Sequence, residues 1–465
     1  MDSTSSLASY FSRSHRNAIL SWLFVAILVG AVVAGVYFDS PEVVLFSVVA
    51  VVVIAGPAAK FRDLRMVAPW YFVALVCLPI LIEAFVPITL ATDIVPSLAV
   101  ATLGLLITVE VDRFTSLRLV PWFAVTLTVL LTLSMAGLLN ILRWSSDVVF
   151  STTFLLDGRS VDAVNAAVMI EFIYATVAGL LAGVIFHMYF RRASDGESTA
   201  DVPSTAGSSS IDSTAKGCVQ EIPNNETDQI LARKHETTAE FEEETKNVES
   251  VRLSDRLGIA TRRQVQLVRF MQIALVAILA YGLWSQQIAV VTNAALALGV
   301  TFLPAVLKRD YEVSIEPGLI LWVVLAVFLH ALGTAGLYDM ISRWDYLTHT
   351  LSATVVAATG YAALRAVHLH SDEVNLPPWA LFGCLLVFML AMSVIWEIME
   401  FFVDQSALLL DMDPILAQHG INDTIVDMIF NLVGSVIVAI WGTVYLTEVS
   451  ESLASVLEER LGTRK

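Results

Sequence analysis

The chain has 465 residues, 57% of them hydrophobic and only 15% charged, with a mean hydropathy of +0.73. A composition this apolar excludes a soluble globular protein and fits a polytopic membrane protein. The formal net charge of -17 argues against nucleic-acid partners, which need a basic face, and suits a salt-rich cytoplasm in which carboxylates keep surfaces hydrated.

Apolar runs of about 17 to 25 residues are long enough to cross a bilayer as helix. Six begin near Ala18, Val43, Val67, Ile94, Trp122 and Val164. Residues 193–250 then turn polar, rich in Ser, Thr, Asp and Glu with the run Glu242-Glu243-Glu244, as a disordered linker does. A second six begin near Gln266, Ala289, Gly318, Leu347, Trp379 and Ile425. The expected fold is therefore all-α, with about twelve transmembrane helices: a first six-helix repeat over 1–192, an acidic linker over 193–255 and a second repeat over 256–465. The first run has the length of a cleaved signal, but its counterpart from Met271 to Trp284 lies mid-chain, so it reads as a retained helix. Residues 447–461 place Val449, Leu453, Val456, Leu457 and Leu461 at helical spacing, as an amphipathic tail on the inner leaflet or a solvated helical extension.

Basic residues set the orientation, because loops rich in Lys and Arg stay in the cytoplasm. Arg13, Arg16, Lys60 to Arg65, Arg113, Arg118, Arg191, Arg192, Arg262, Arg263, Lys308, Arg309, Arg365 and Arg460 to Lys465 fall on one side of a twelve-span arrangement. Only Arg143, Arg159 and Arg343 fall on the other. Both termini are expected in the cytoplasm of a multi-pass cell-membrane protein, and an even span count makes the repeats parallel. The sequon Asn225-Glu226-Thr227 then never meets the outside. Cys77, Cys218 and Cys384 have no metal spacing and imply no disulfide framework.

The two halves read as copies. At an offset of 257, Pro121-Trp122, Ile141 and Asp147 fall on Pro378-Trp379, Ile398 and Asp404, and at 247, Pro57-Ala58 and Arg62-Asp63 fall on Pro304-Ala305 and Arg309-Asp310. Where the copies differ, Asn140 and Arg143 stand against Glu397 and Glu400, so chemistry is expected in the second half.

Three polar stripes carry that expectation. Asp345 and His349 are four apart and share a helix face; Glu397 and Glu400 are three apart, with Asp404 one turn on; Asp423, Asp427 and Asn431 step by fours. Helix direction places all three at one depth, toward the outer leaflet, where His330 and His419 could join them. A carboxylate at membrane depth costs about 2.5 to 3.5 kcal/mol on insertion scales, so such residues face a bundle interior or a wet cavity. Mixed carboxylate and imidazole groups on facing helices can hold a divalent cation. They can equally pass protons. A blander account has Asp404 and His419 solvated at the interface and Asp345 and Asp423 at favourable helix N-termini. Glu83 and Glu171 read as paired structural acids or relics of an ancestral site, His187 as an interfacial histidine, and Trp122, Trp144, Trp344 and Trp379 as an aromatic belt.

The pattern Asp345-x-x-x-His349, Glu397-x-x-Glu400 and Asp423-x-x-x-Asp427-x-x-x-Asn431-x-x-Gly434 resembles the VanZ-like and YjdF-like membrane proteins over residues 318–440, and Trp396-Glu397 with the Asp423 and Asp427 pair brings it closer to the YjdF-like group. The resemblance implies site roles for Asp345, His349, Glu397, Glu400, Asp423, Asp427 and Asn431. One departure is Gln418-His419-Gly420-Ile421-Asn422, where YjdF-like proteins carry Gly-Thr-Gln-Gly-Asp. The leading expectation is a metal-binding or acid/base site near the outer face, with catalytic candidates His349, Glu397, Glu400 and Asp427 and metal candidates Asp345, His349, Glu397, Glu400, Asp423 and Asp427, acting on a lipid or envelope-linked substrate. The rivals are a proton- or cation-coupled transporter and a structural scaffold.

Overall fold

Inside a bilayer a backbone amide has no water to bond, so an apolar run satisfies its polar groups within itself and forms a helix. A computed structural model describes residues 15–38, 40–85, 94–114, 121–197, 261–311, 317–341, 343–370, 376–416 and 418–445. The first six helices are α1 (His15–Tyr37), α2 (Pro41–Phe61), α3 (Trp70–Phe85), α4 (Ile94–Phe114), α5 (Pro121–Phe150) and α6 (Val161–Glu197). The second six are α7 (Thr261–Ser285), α8 (Ile288–Tyr311), α9 (Pro317–Leu332), α10 (Trp344–His370), α11 (Pro378–Leu409) and α12 (Ile421–Tyr445). No strand occurs among the described residues. Eleven spans are long and apolar enough to cross a membrane, one of them α9 continued through the following turn to Met340, while α3, with 16 residues, is apolar but shorter. The chain is an all-α, multi-pass membrane protein. Its helices begin within a few residues of the expected positions; the amphipathic tail, Cys218, the sequon and the linker from residue 198 onward lie outside the described residues.

Local signals explain several ends. Pro41 opens α2 and Pro378 opens α11 at a position where the missing N–H has no intrahelical partner to lose. The α1–α2 hairpin closes at Gly35, where a Cβ would come within 2.8 Å of Val44 Cγ2, with Ser40 N–H donating to the Gly35 carbonyl at 2.8 Å. The α7–α8 hairpin repeats this arrangement 247 residues later: Gly282 packs on Val290 and Val291, and Gln287 N–H donates to the Gly282 carbonyl at 3.0 Å.

The described residues up to Arg191 and from Thr261 onward form one compact unit. A continuous core runs through both halves, with Leu133 and Leu139 of α5 joining Val394 of α11 and Met428 of α12. At Gly137 the approach is tight, since a Cβ there would lie 2.7 Å from Met428 Cε and 2.9 Å from Val394 Cγ2. α10 and α12 are closer still: a Cβ on Gly434 would come within 2.5 Å of the Thr350 carbonyl. Small residues at such crossings let backbones meet where apolar burial supplies no driving force between helices. Helices α7, α8 and α9 pack through a separate small cluster of Leu275, Ala297 and Ala331. Large apolar side chains such as Val33, Ile273 and Leu296 point outward, as lipid-facing residues do.

Candidate functional site

The Gly434 crossing sets α12 against the first turns of α10, and this determines which stripes meet. Asp345 and His349 project from one face of α10 toward Asp427 of α12. His349 Nε2 lies 3.5 Å from Asp345 Oδ1 and 3.6 Å from Asp427 Oδ2. One ligand atom from each of the three falls within 4.8 Å of the others. Four ligands around zinc at bond lengths of roughly 2.0–2.2 Å would be roughly 3.3–3.6 Å apart, a spacing that the two distances from His349 Nε2 approach. The remaining Asp427 oxygen, Oδ1, is enclosed and has no hydrogen-bond partner, on a residue only 4% exposed. A buried lone carboxylate oxygen is costly unless something cationic or donating fills its lone pairs.

Glu397, Glu400 and Asp423 do not join that group of three. Glu397 is fully buried in α11; its Oε2 accepts from Gln418 Nε2 at 3.0 Å, and its Oε1 has no partner. It lies within electrostatic reach of Asp427. Glu400 is buried one turn further along. Asp423, in the first turn of α12, accepts from the His419 backbone N–H at 3.0 Å, a position that favours an acid, and His419 itself is exposed.

Asp404 serves the backbone. Its Oδ1 accepts from the N–H groups of Ile415 and Leu416, both at 2.8 Å, and its Oδ2 from Gln418 at 3.0 Å. Its counterpart Asp147 does the same after α5: Oδ1 accepts from Thr152 Oγ1 at 2.6 Å and Phe154 N–H at 2.7 Å, and Oδ2 from Leu155 and Leu156, both at 2.7 Å. The matched aspartates are loop anchors, buried rather than solvated.

A cavity of about 590 Å3 lies between α8, α9, α10, α11 and α12, and His330, Thr348, His349 and Asn431 line it. His330 Nδ1 is 2.7 Å from the Tyr338 hydroxyl, which is 3.3 Å from Thr348 Oγ1. Tyr338 is returned to His330 by a π turn at Gly333–Leu337, in which Gly336 has φ +132° and the Tyr338 ring packs directly on Gly333. π turns of this kind recur at functional sites. The paired glycines of Gly333-Thr334-Ala335-Gly336 were the available sequence signal for this residue.

In the first half, Arg143 is taken up by two acids: Nη2 meets Glu42 Oε1 at 2.7 Å and Nη1 meets Glu171 Oε2 at 3.2 Å. Asn140 is fully buried and donates from Nδ2 to the Ala136 carbonyl at 3.1 Å. Glu171 is thus a paired acid. Glu83 is half-buried in α3, His187 is exposed, and Trp122 and Trp379 are exposed near the starts of α5 and α11, as an aromatic belt requires.

The first half also reaches the second. Asn165 of α6 donates from Nδ2 to Gln418 Oε1 at 2.7 Å and accepts from Thr424 Oγ1 at 3.0 Å, while Trp144 Nε1 donates to Asn422 Oδ1 at 2.8 Å. Gln418 therefore links Asn165 to Glu397. Neither Asn165 nor Thr424 stood out in the sequence, and Gln418 did so only as part of the run that departs from the YjdF-like pattern.

A family model described as "Predicted membrane protein (DUF2238)" matches residues 267–448, and another described as a domain of unknown function (DUF8268) matches residues 5–67. The second half thus carries a match to a membrane-protein family, and the match contains every residue of the cluster and cavity. A curated protein of Thermotoga maritima, described as an uncharacterized protein, is 32% identical over 137 residues, which is 29% of this chain; the chain spans 66% of that relative's length. No solved structure matches.

Proposed function

We propose that Asp345, His349 and Asp427 hold a divalent transition ion near the outer membrane face, and that this site performs metal-assisted or acid/base chemistry on a lipid or envelope-linked substrate. The observation that carries the reading is the convergence of three ligand atoms around an enclosed Asp427 oxygen with no partner. Two carboxylates beside one imidazole suit a borderline divalent ion, which offsets their repulsion and leaves positions for water or substrate. Glu397 is the general acid/base candidate, since it is buried, held at one oxygen by Gln418 and unpartnered at the other. Glu400 and Asn431 shape the surroundings. The Arg143 triad supports an unequal division of labour, because the first half places a neutralised cation where the second has Glu400. The orientation rests on the basic residues, which also make residues 193–255 a cytoplasmic linker. The YjdF-like resemblance belongs with this reading.

Elemental analysis of the purified full chain tests it. About one divalent ion per chain is expected, depleted by Asp427→Asn and retained by Asn140→Ala. Equal retention in both variants would refute the site.

A further inference from the structure

We infer that the cavity takes the hydrocarbon chain of a membrane lipid, which enters sideways between α8 and α11 and sets its oxygen-bearing head beside His330 and His349. The inference deepens the metal-site reading by naming its substrate class, and only the fate of the head depends on that reading.

The rim points to the bilayer. Leu296 of α8 is 62% exposed, and Trp396 and Met399 of α11 are 41% and 40% exposed, yet all three also line the cavity. At membrane depth such side chains meet lipid chains, so the mouth opens where hydrocarbon is the solvent.

The interior is graded along its length. Short connections put the starts of α8, α10 and α12 and the ends of α9 and α11 at one end of the bundle. Near that end the walls carry the polar Asn293, His330, Thr348 and His349; deeper along α8 to α11 they are mainly apolar, with Val300, Val327, Val356 and Met389, interrupted only by the small hydroxyls of Ser352 and Ser393 and by Asn431 of α12. A polar end followed by an apolar shaft matches an amphiphile, with its head at the metal cluster and its chain toward the bilayer centre.

The polar end also has a roof. Asn293 Nδ2 donates to the Ile415 carbonyl at 3.3 Å, joining α8 to the connection before α12, and Asp404 fixes that connection at Ile415 and Leu416. A water-soluble substrate would have to displace this roof, whereas a lipid reaches the cluster through the side opening.

The test uses the full chain in phosphatidylcholine vesicles with a minor fraction of phosphatidylglycerol that carries a photoactivatable diazirine in one acyl chain. After illumination, peptide mapping should place label on Met389, Met392 or Val300 as well as on outward residues such as Ile273. The separate cavity-filling changes Val300→Trp and Ser352→Phe should each remove the interior label and leave that on Ile273, which also reports that the helices remain inserted. A head-group diazirine should label the His330 and Thr348 turns instead. Asp427→Asn should leave acyl labelling unchanged, so that a failed metal site and a failed lipid site give different results. Label confined to outward residues, interior label indifferent to both filling changes, or acyl label at the His330 end would overturn the inference.

Discussion

Two aspartates of the second half, Asp404 and Asp427, are alike in burial and opposite in what they do. Asp404 spends its carboxylate on three backbone N–H groups, and Asp427 leaves one oxygen without a partner. Hydrogen bonds to a charged group contribute about 1.5–3 kcal/mol each, far from additively, so Asp404→Ala should destabilise the fold by roughly 2–4 kcal/mol. Asp147→Ala should behave alike. Asp427→Asn removes a buried charge whose second oxygen is unsatisfied, and in metal-free protein should leave stability unchanged or raised. Thermal unfolding of the three variants in chelator checks the contrast; a loss for Asp427→Asn equal to that for Asp404→Ala would contradict it. The acids were legible in the sequence because an apolar span makes a carboxylate conspicuous. Their roles were not, since an anchor and a ligand differ only in where the following loop runs. Tyr338 was less legible still, because its partnership with His330 depends on a π turn that breaks the helical spacing used to read faces.

Between elements, close approach does the positioning. Ala is a better helix former than Gly by about 1 kcal/mol, so Gly→Ala stabilises a helix where space is free. Gly299 in α8 has nothing within 4 Å of an added Cβ, while at Gly434 the Thr350 carbonyl stands 2.5 Å away. Gly434→Ala should therefore part α12 from α10, pull Asp427 from His349 and lower metal affinity at least tenfold, about 1.4 kcal/mol, though no ligand has changed. Gly299→Ala should not alter it, and equal affinities by metal titration would show that the crossing does not set the cluster. A second coupling runs from Asn165 through Gln418 to Glu397. Asn165 donates to the Gln418 carbonyl, which turns the Gln418 amide NH2 toward Glu397. In a double-mutant cycle of Asn165→Ala and Gln418→Ala, the stability losses should fall short of additivity by about 0.5–3 kcal/mol; strict additivity would deny the chain. Helix positions were readable from run lengths, and the repeated hairpins at Gly35 and Gly282 bear the offset seen in sequence. The Asn165 link was not, because it joins residues 253 apart across the two halves.

At the scale of the molecule, two six-helix halves share one core and differ in how they pair their buried charged groups. The first closes its buried arginine between Glu42 and Glu171; the second keeps two carboxylates and a histidine together, and that histidine lines a cavity. If residues 193–255 are a cytoplasmic linker, a cysteine engineered at Ser208 in a chain free of other cysteines should resist impermeant reagents in intact cells and react once the membrane is opened. Labelling from outside would reverse the orientation and put the cluster near the inner face. X-ray absorption at the edge of the bound metal, on the purified full-length protein, should show imidazole scattering in wild type and in Asn140→Ala and lose it in His349→Ala. No bound ion, or an imidazole signature that survives His349→Ala, would contradict the metal site at its centre.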